Sequence, residues 1–527
     1  MFNTLRKPIN IIYLIQLVSV FLVAFGILPR ITILGAATMV SIFVLRADTE
    51  TATAFFIRSI PIFVAIPFTS YFDSFNLWRI ASGLIFLKWF FKNRKVNDIK
   101  KAYRDIATKI NFQSYKFTFY FLVFFIFAFW SLLPADDFLA GAKRIIYLVN
   151  LFLIGFVIYD SARKKREFAK ELTKNILIAG VLVITVALLQ LVSAYLVNIY
   201  EFMDFWANSV QFAFYGLEWS QIVQEMNTWF AYFGPQLSLR VFSTFPDSHS
   251  FPLFILMVVP SLLALALVPV FKNSENKSLK NLFKTRAFLL ILLLPIFYLF
   301  AVLSGTRGIW LAVLSPVLLL PFLIKFSKTA DSKNIFKYLG MNFIIFVLLF
   351  SVAYPILGSS QFQVKKSDNQ ILSKRLRSIL DLSETSNSGR LAIWKASAKS
   401  IIKRPLLGVG IGNFPTVLLQ ETEYAKAGSS AHNLYLQIAA EIGLLGLLGA
   451  MGMVWLILQK GFQLFKETEE CFIKIYSAAF ILYTVWVLFY SLTDAVLFDE
   501  RAFLIFATNS AMILGIKAGL RENRHFV

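Results

Sequence analysis

Apolar residues run through this chain in long blocks separated by polar stretches. The blocks are about 16–24 residues long, near the length an α-helix needs to cross a bilayer. They lack the ten-residue alternation of membrane β-barrel strands. The pattern predicts an all-α polytopic membrane protein with about 12–14 transmembrane helices. Fourteen blocks can be marked: 10–29, 31–45, 54–72, 77–92, 118–134, 143–160, 175–198, 249–271, 287–304, 306–325, 338–357, 434–458, 473–497 and 501–517. Blocks 31–45 and 77–92 are short for a crossing.

The polar stretches set the expected orientation. Segments 92–117, 161–174, 272–286 and 326–337 are rich in Lys and Arg, and all fall on one side if every block crosses. Segments 73–76 and 135–142, on the other side, carry none. The positive-inside rule puts both termini in the cytoplasm of a multi-pass protein of the cytoplasmic membrane. Arg6 and Lys7 precede the first block and no A-x-A-like site follows, so an uncleaved first helix is expected. There is no internal repeat, and residues 1–527 read as a single transmembrane domain.

Two longer segments then lie outside. Residues 199–240 are aromatic and mildly acidic, and are expected to form interfacial helices on the outer membrane face. Residues 358–433 form a large outer loop. Its first part is polar and turn-rich. A helix follows, with Leu391, Trp394, Ala398 and Ile401 at helical spacing, Asn387 or Ser388 as its cap and Pro405 as its stop. Lys395, Lys399 and Lys403 make a basic stripe along it, either simply solvated or in contact with an anionic lipid diphosphate or glycan.

Composition narrows the function classes. The chain is 58% hydrophobic, against roughly 45–50% apolar for soluble domains. The net charge of +22 suggests nucleic acid at first sight, but the cations cluster in short loops between apolar blocks. They are better read as topology determinants and contacts to anionic membrane lipids, so no nucleic-acid partner is expected. Cys471 is the only cysteine, which leaves no internal disulfide and no cysteine-based zinc site. No carboxylate pair has metal-site spacing, and neither a metal nor a cofactor is expected.

Candidate chemistry gathers at the outer boundary. Ser304-Gly305-Thr306-Arg307-Gly308 lies between two apolar blocks, where an arginine facing the protein interior could hold an anion. Arg240 is the only Lys or Arg in residues 199–240. With Arg307 on the same face it suggests a two-cation anion site, since a guanidinium suits bidentate phosphate binding. Gly408-Val409-Gly410-Ile411-Gly412 is not a dinucleotide loop, because no βαβ unit surrounds it. It reads as a tight turn beside the active face. His432 stands where the outer loop meets an apolar block, and an imidazole there can take a proton from a hydroxyl. His249, Asp247 and Asp494 are competing bases on that side, and His525 lies in the cytoplasmic tail.

His432-Asn433, nine residues, then Gly443-Leu444-Leu445-Gly446 resembles the H-[NSQ]-x9-G-x-x-G motif of bacterial O-antigen ligases. The G-x-G-x-x-N-F of the outer loop, the S-G-T-R-G stretch and the Arg240 region are similar to that family too, so the likeness spans about 200–460. It implies a GT-C-type glycosyltransferase working on the outer face without a metal. Such enzymes move a glycan from undecaprenyl diphosphate to an acceptor hydroxyl, on lipid A core or elsewhere, with inversion. The motif histidine carries over to His432 as general base, and the two essential arginines to Arg240 and Arg307 as diphosphate clamps. Arg390, Lys395, Asn433 and Asp247 are the further expected substrate contacts. Two departures stand: Pro246-Asp247 replaces the usual P-N, and the span count exceeds the usual twelve. The same outline covers O-antigen or capsule polymerases and protein O-glycosyltransferases. An inorganic-carbon or other small-anion transporter is the alternative from another class.

Overall fold

The computed structural model describes residues 7–68, 75–93, 115–225, 228–233, 236–272, 286–327, 329–364, 385–419 and 430–524. Ser429, His525 and most of the polar stretches 92–117, 272–286 and 358–384 lie outside the described residues.

The chain begins with α1 (Pro8–Ala24), α2 (Ile33–Arg46), α3 (Thr49–Ser59) and α4 (Leu77–Asn93). Next come α5 (Tyr115–Trp130), α6 (Phe138–Lys164) and α7 (Arg166–Leu196). The outer segment holds α8 (Ile199–Met203), a π-helical stretch over Asp204–Gln211, α9 (Phe212–Tyr215) and α10 (Leu217–Glu225). An antiparallel hairpin closes it, β1 (Phe230–Phe233) with β2 (Gln236–Leu239), Phe230 opposite Leu239. Then follow α11 (Ser250–Lys272), α12 (Arg286–Leu303), α13 (Arg307–Ala312), α14 (Leu314–Lys325) and α15 (Ala330–Leu357). The outer loop carries α16 (Thr385–Lys403) and α17 (Phe414–Leu419), and α18 (Leu434–Glu467), α19 (Cys471–Tyr490) and α20 (Glu500–Arg524) complete the chain.

This is an all-α polytopic membrane fold. Among the described residues, eight helices are long and apolar enough to cross a membrane, and α1, α5 and α12 are apolar but shorter. α11 is apolar all round, without a charge between Phe251 and Phe271, and accordingly sits at the centre with Phe251 and residues 253–259 wholly covered.

Three local expectations are corrected. Block 54–72 is not one crossing: α3 has 11 residues, a rise of only about 16 Å at 1.5 Å per residue. After it a 3₁₀ turn containing Pro61 leads into extended backbone, where Ala65 donates to Phe214 O at 2.7 Å. Segment 199–240 is helical as expected, except for the hairpin. On α16 the buried residues are Ala396, Ser397 and Ser400, Trp394 and Ile401 are half-buried, and Leu391 and Ala398 are exposed. α16 also starts at Thr385, which leaves Asn387 and Ser388 inside its first turn.

The two ends of the bundle differ. At one end the helix termini are joined by ion pairs: Lys517 to Glu467 at 2.5 Å, Lys170 to Glu470 at 2.9 Å and Arg163 to Glu522 at 3.1 Å. At the other end the starts of α11, α13, α18 and α20 meet the end of α19.

Candidate active site

The loop ahead of α11 is built before the site is. Gln190 Oε1 accepts from Phe242 N and Ser243 N, both at 2.9 Å. Arg501, wholly buried, donates to Thr244 O and to Phe63 O and lies against the rings of Phe214, Tyr215 and Phe245. Asp247 Oδ1 then accepts from His249 N and Ser250 N, each at 2.8 Å, which caps the start of α11. These contacts fix Arg240 at one end of the loop and His249 at the other.

Arg240 reaches across to the segment ahead of α13. Its Nε donates to Ser304 O at 3.2 Å and its Nη2 to Thr306 Oγ1 at 3.3 Å. The same Nη2 is 3.2 Å from His249 Nε2. Burial pulls the Arg240 guanidinium down to about 10, and the nearby Arg307 adds to this, while Tyr490, Asp247 and Asp494 oppose it. Arg240 therefore stays protonated at neutral pH, one of two guanidinium groups close enough to repel each other. Gly308 lets α13 approach the turn after α19: a Cβ there would lie 2.2 Å from Thr493 Oγ1.

That turn carries Asp494, the residue that joins the histidines. Its Oδ2 is 2.7 Å from His249 Nδ1, and its Oδ1 is 3.9 Å from His432 Nδ1. The carboxylate is buried. Burial by itself pushes an acid up, but the two imidazoles outweigh it and hold Asp494 well below the usual carboxylate range. With His432 Nδ1 facing Asp494, the ring's Nε2 is the nitrogen turned away. An imidazole backed by a carboxylate on one nitrogen can accept a proton on the other.

The peptide before His432 is clamped from both sides. Ala431 N donates to Gln437 Oε1 at 2.7 Å, and Ala431 O accepts from Trp394 Nε1 of α16 at 3.0 Å. Gln437 Nε2 in turn holds Glu441 Oε1 at 2.5 Å, and Glu441 Oε2 accepts from Gly412 N at 3.0 Å. A chain of side chains therefore runs from the glycine turn to the histidine. His432 itself has φ 45°, a conformation uncommon outside glycine. Leu434 N donates to Ser491 O at 2.9 Å and Tyr435 Oη to Leu488 O at 2.7 Å, which brings the start of α18 beside the end of α19.

Gly443 and Gly446, three apart, read as one packing face of the following helix, but Gly443 plays a different part. With φ 86° it interrupts α18 instead of presenting a helix face. Leu444 N donates to Pro405 O at 2.8 Å and Val409 N to Ala440 O at 2.8 Å across the break. A Cβ on Gly443 would lie 2.0 Å from Leu406 O, so the outer loop is seated where a side chain would be. Gly408, Gly410 and Gly412 have φ 65°, 105° and 75°, a tight turn packed on this break.

Among the sequence candidates, Arg240, Arg307 and His432 all stand at this end of the bundle, and Arg390 is near enough to act electrostatically on Tyr490. Lys395 is exposed, and five residues on from Arg390 it lies on another helix face. Asn433 and Asp247, expected as substrate contacts, spend their Oδ1 atoms on helix caps; Asn433 accepts from Tyr435 N at 3.0 Å and Leu436 N at 3.1 Å. Sequence reasoning counted His249 and Asp494 only as rival bases and missed their linkage. No local spacing announces it, because the pair is 245 positions apart. Among the described residues no group of three or more His, Cys, Asp or Glu is placed to hold a metal ion.

Fold and site together define a polytopic helical membrane protein with arginines, histidines and one buried carboxylate gathered at one end. Residues 288–451, which include Arg307 and His432, match the O-antigen ligase family. It is also similar to candidate polysaccharide ligases of Rickettsia conorii and Rickettsia prowazekii. The first is 29% identical over 190 residues, 30% of this chain and 43% of the relative. The second is 27% identical over 194 residues, 31% of this chain and 45% of the relative. The chain therefore spans less than half the length of these relatives.

Proposed function

We propose that this protein is a ligase-like glycosyltransferase that moves a glycan from undecaprenyl diphosphate to an acceptor hydroxyl on the outer face of the cytoplasmic membrane. The observation that carries the reading is the convergence of Arg240, Arg307 and His432 at one end of the bundle, with Asp494 behind the imidazole. A lipid diphosphate is an activated leaving group, so no nucleotide is needed. Arg240 and Arg307 bind the diphosphate and stabilise the charge that grows on it as the bond to the anomeric carbon breaks. The acceptor oxygen attacks that carbon from the opposite side, which inverts it. Its proton passes to His432 Nε2, and Asp494 stabilises the imidazolium that forms. The ligase domain and the polysaccharide-ligase relatives agree with this reaction class.

The test is transfer by the purified protein from a polyprenyl-diphosphate glycan to candidate acceptors, with product length read by mass spectrometry. His432→Ala should remain folded in the membrane and lose about 10²–10⁴-fold in rate, the usual contribution of a general base. Wild-type turnover in that variant would remove His432 as the base. A single added unit per acceptor marks a ligase, and a ladder marks a polymerase.

A further inference from the structure

A cavity runs along the bundle from Leu434, Tyr435 and Leu497, near His432, to Lys517 and Arg521 at the opposite end. It is a groove of about 990 Å³ between two tight helix pairs. That volume is at the top of the range for small-molecule sites, about 300–1,000 Å³. α18 closes on α5 through glycines: a Cβ on Gly449 would lie 2.7 Å from Phe124 N, and one on Gly452 2.2 Å from the Tyr120 ring. α20 closes on α6 in the same way: a Cβ on Gly515 would lie 2.4 Å from Tyr159 O, and one on Gly519 2.3 Å from Arg163 O. Between the pairs the walls are apolar, with Phe121, Phe152, Ile457, Phe503 and Leu514 among them.

The lining changes at the ion-paired end of the bundle, remote from His432. Lys116, Lys460, Lys517 and Arg521 line the groove there. Arg521, Lys517 and Lys116 are all close enough to Lys460 to repel its charge, Glu467 opposes them, and Lys460 Nζ donates to Gln463 Oε1 at 3.3 Å. Lys517 is answered by Glu467 at 2.5 Å. For Lys116, Lys460 and Arg521 no carboxylate lies within 4.0 Å among the described residues. Cations gathered at the mouth of an apolar groove call for a ligand with an anionic head and apolar tails.

We propose that this groove binds an anionic phospholipid from the leaflet on that side. Its phosphate sits among Lys116, Lys460 and Arg521, and its acyl chains lie along the apolar walls; basic pockets between membrane helices hold lipid headgroups in this way. A polyprenyl diphosphate does not fit the same charges. On the function proposed above, its diphosphate belongs with Arg240 and Arg307 at the opposite end, not with Lys116, Lys460 and Arg521. A free phosphate would gain nothing from the apolar walls.

The full-length protein, purified in mild detergent, should carry bound anionic phospholipid detectable by native mass spectrometry and lipid extraction. In nanodiscs, adding phosphatidylglycerol to phosphatidylcholine should raise its unfolding temperature. Lys460→Gln with Arg521→Gln should abolish both effects while matching wild type in pure phosphatidylcholine. An equal response to the two lipids, unchanged retention in the double variant, or a polyprenyl phosphate as the extracted lipid would each overturn the proposal. Should the double variant fail to fold, Lys116→Gln, at the exposed start of α5, is expected to weaken retention and the phosphatidylglycerol shift alike. None of these readouts depends on glycan transfer.

Discussion

Replacing Asp494 with Asn tests the site at the one atom group that unites it. The substitution keeps size and keeps an oxygen for Ala495 N, which Asp494 Oδ1 now accepts at 2.8 Å. It removes the charge beside His432. At the observed 3.9 Å, two unit charges interact by about 4 kcal/mol at an effective dielectric constant of about 20. The His432 side chain is 42% exposed, so solvent screens the pair; about half that value, ~2 kcal/mol, is the reasonable expectation. That converts to a roughly 30-fold loss in kcat. The assay is transfer to a defined acceptor under saturating donor, with size-exclusion behaviour and thermal unfolding as checks on the fold. A folded Asp494→Asn variant with wild-type kcat would refute the reasoning. So would full additivity: on a His432→Ala background the second substitution should cost less than on wild type, because the share of its effect that acts through the His432 imidazole is already gone.

Arg307→Lys should lose at least tenfold in turnover, because an ammonium cannot form the planar two-pronged contact that a guanidinium makes with phosphate; wild-type turnover would reduce Arg307 to a boundary anchor. Gly443→Ala should lower the unfolding temperature and abolish transfer together, since the added carbon would lie 2.0 Å from Leu406 O at a φ of 86°; strain of about 1–3 kcal/mol is the least it costs. Asp499 gives a pH signature: burial first, then the charges of Asp247 and Glu500, raise it from 3.8 to about 7. The folded state therefore holds this proton more tightly than the unfolded chain, so its stabilising contribution is full below about pH 4 and lost as pH rises to about 7. Asp499→Asn should flatten that part of a plot of unfolding temperature against pH, and an unchanged slope would count against it.

Much of this was legible in the sequence, for identifiable reasons. Apolar length and scarcity of charge mark helices such as α11 and α19 without reference to anything else. The alternation of crossings carries Arg240, Arg307 and His432 to the same end although they are up to 192 positions apart. Other features depend on tertiary contact and left no local trace. Gly443 reads as a helix-packing glycine until the loop at Leu406 is seen occupying its Cβ position. Asp247 and Asn433 look free to bind substrate until their oxygens are found capping α11 and α18. Asp494 was visible as an acid but not as a bridge.

The seating of the outer loop on the break in α18 also has a consequence for how such a chain can change over generations. Gly408 fits only because the backbone at Ala440 and Glu441 is exposed to it, and Gly443 is needed only because Leu406 lies over it. Each glycine is justified by the other's surroundings. Losing either one alone breaks the mount of the histidine, whereas losing both along with the loop leaves an ordinary unbroken helix. Descendants should therefore keep the pair or discard the pair, and a lineage that had abandoned it would have had to find another support for its proton acceptor.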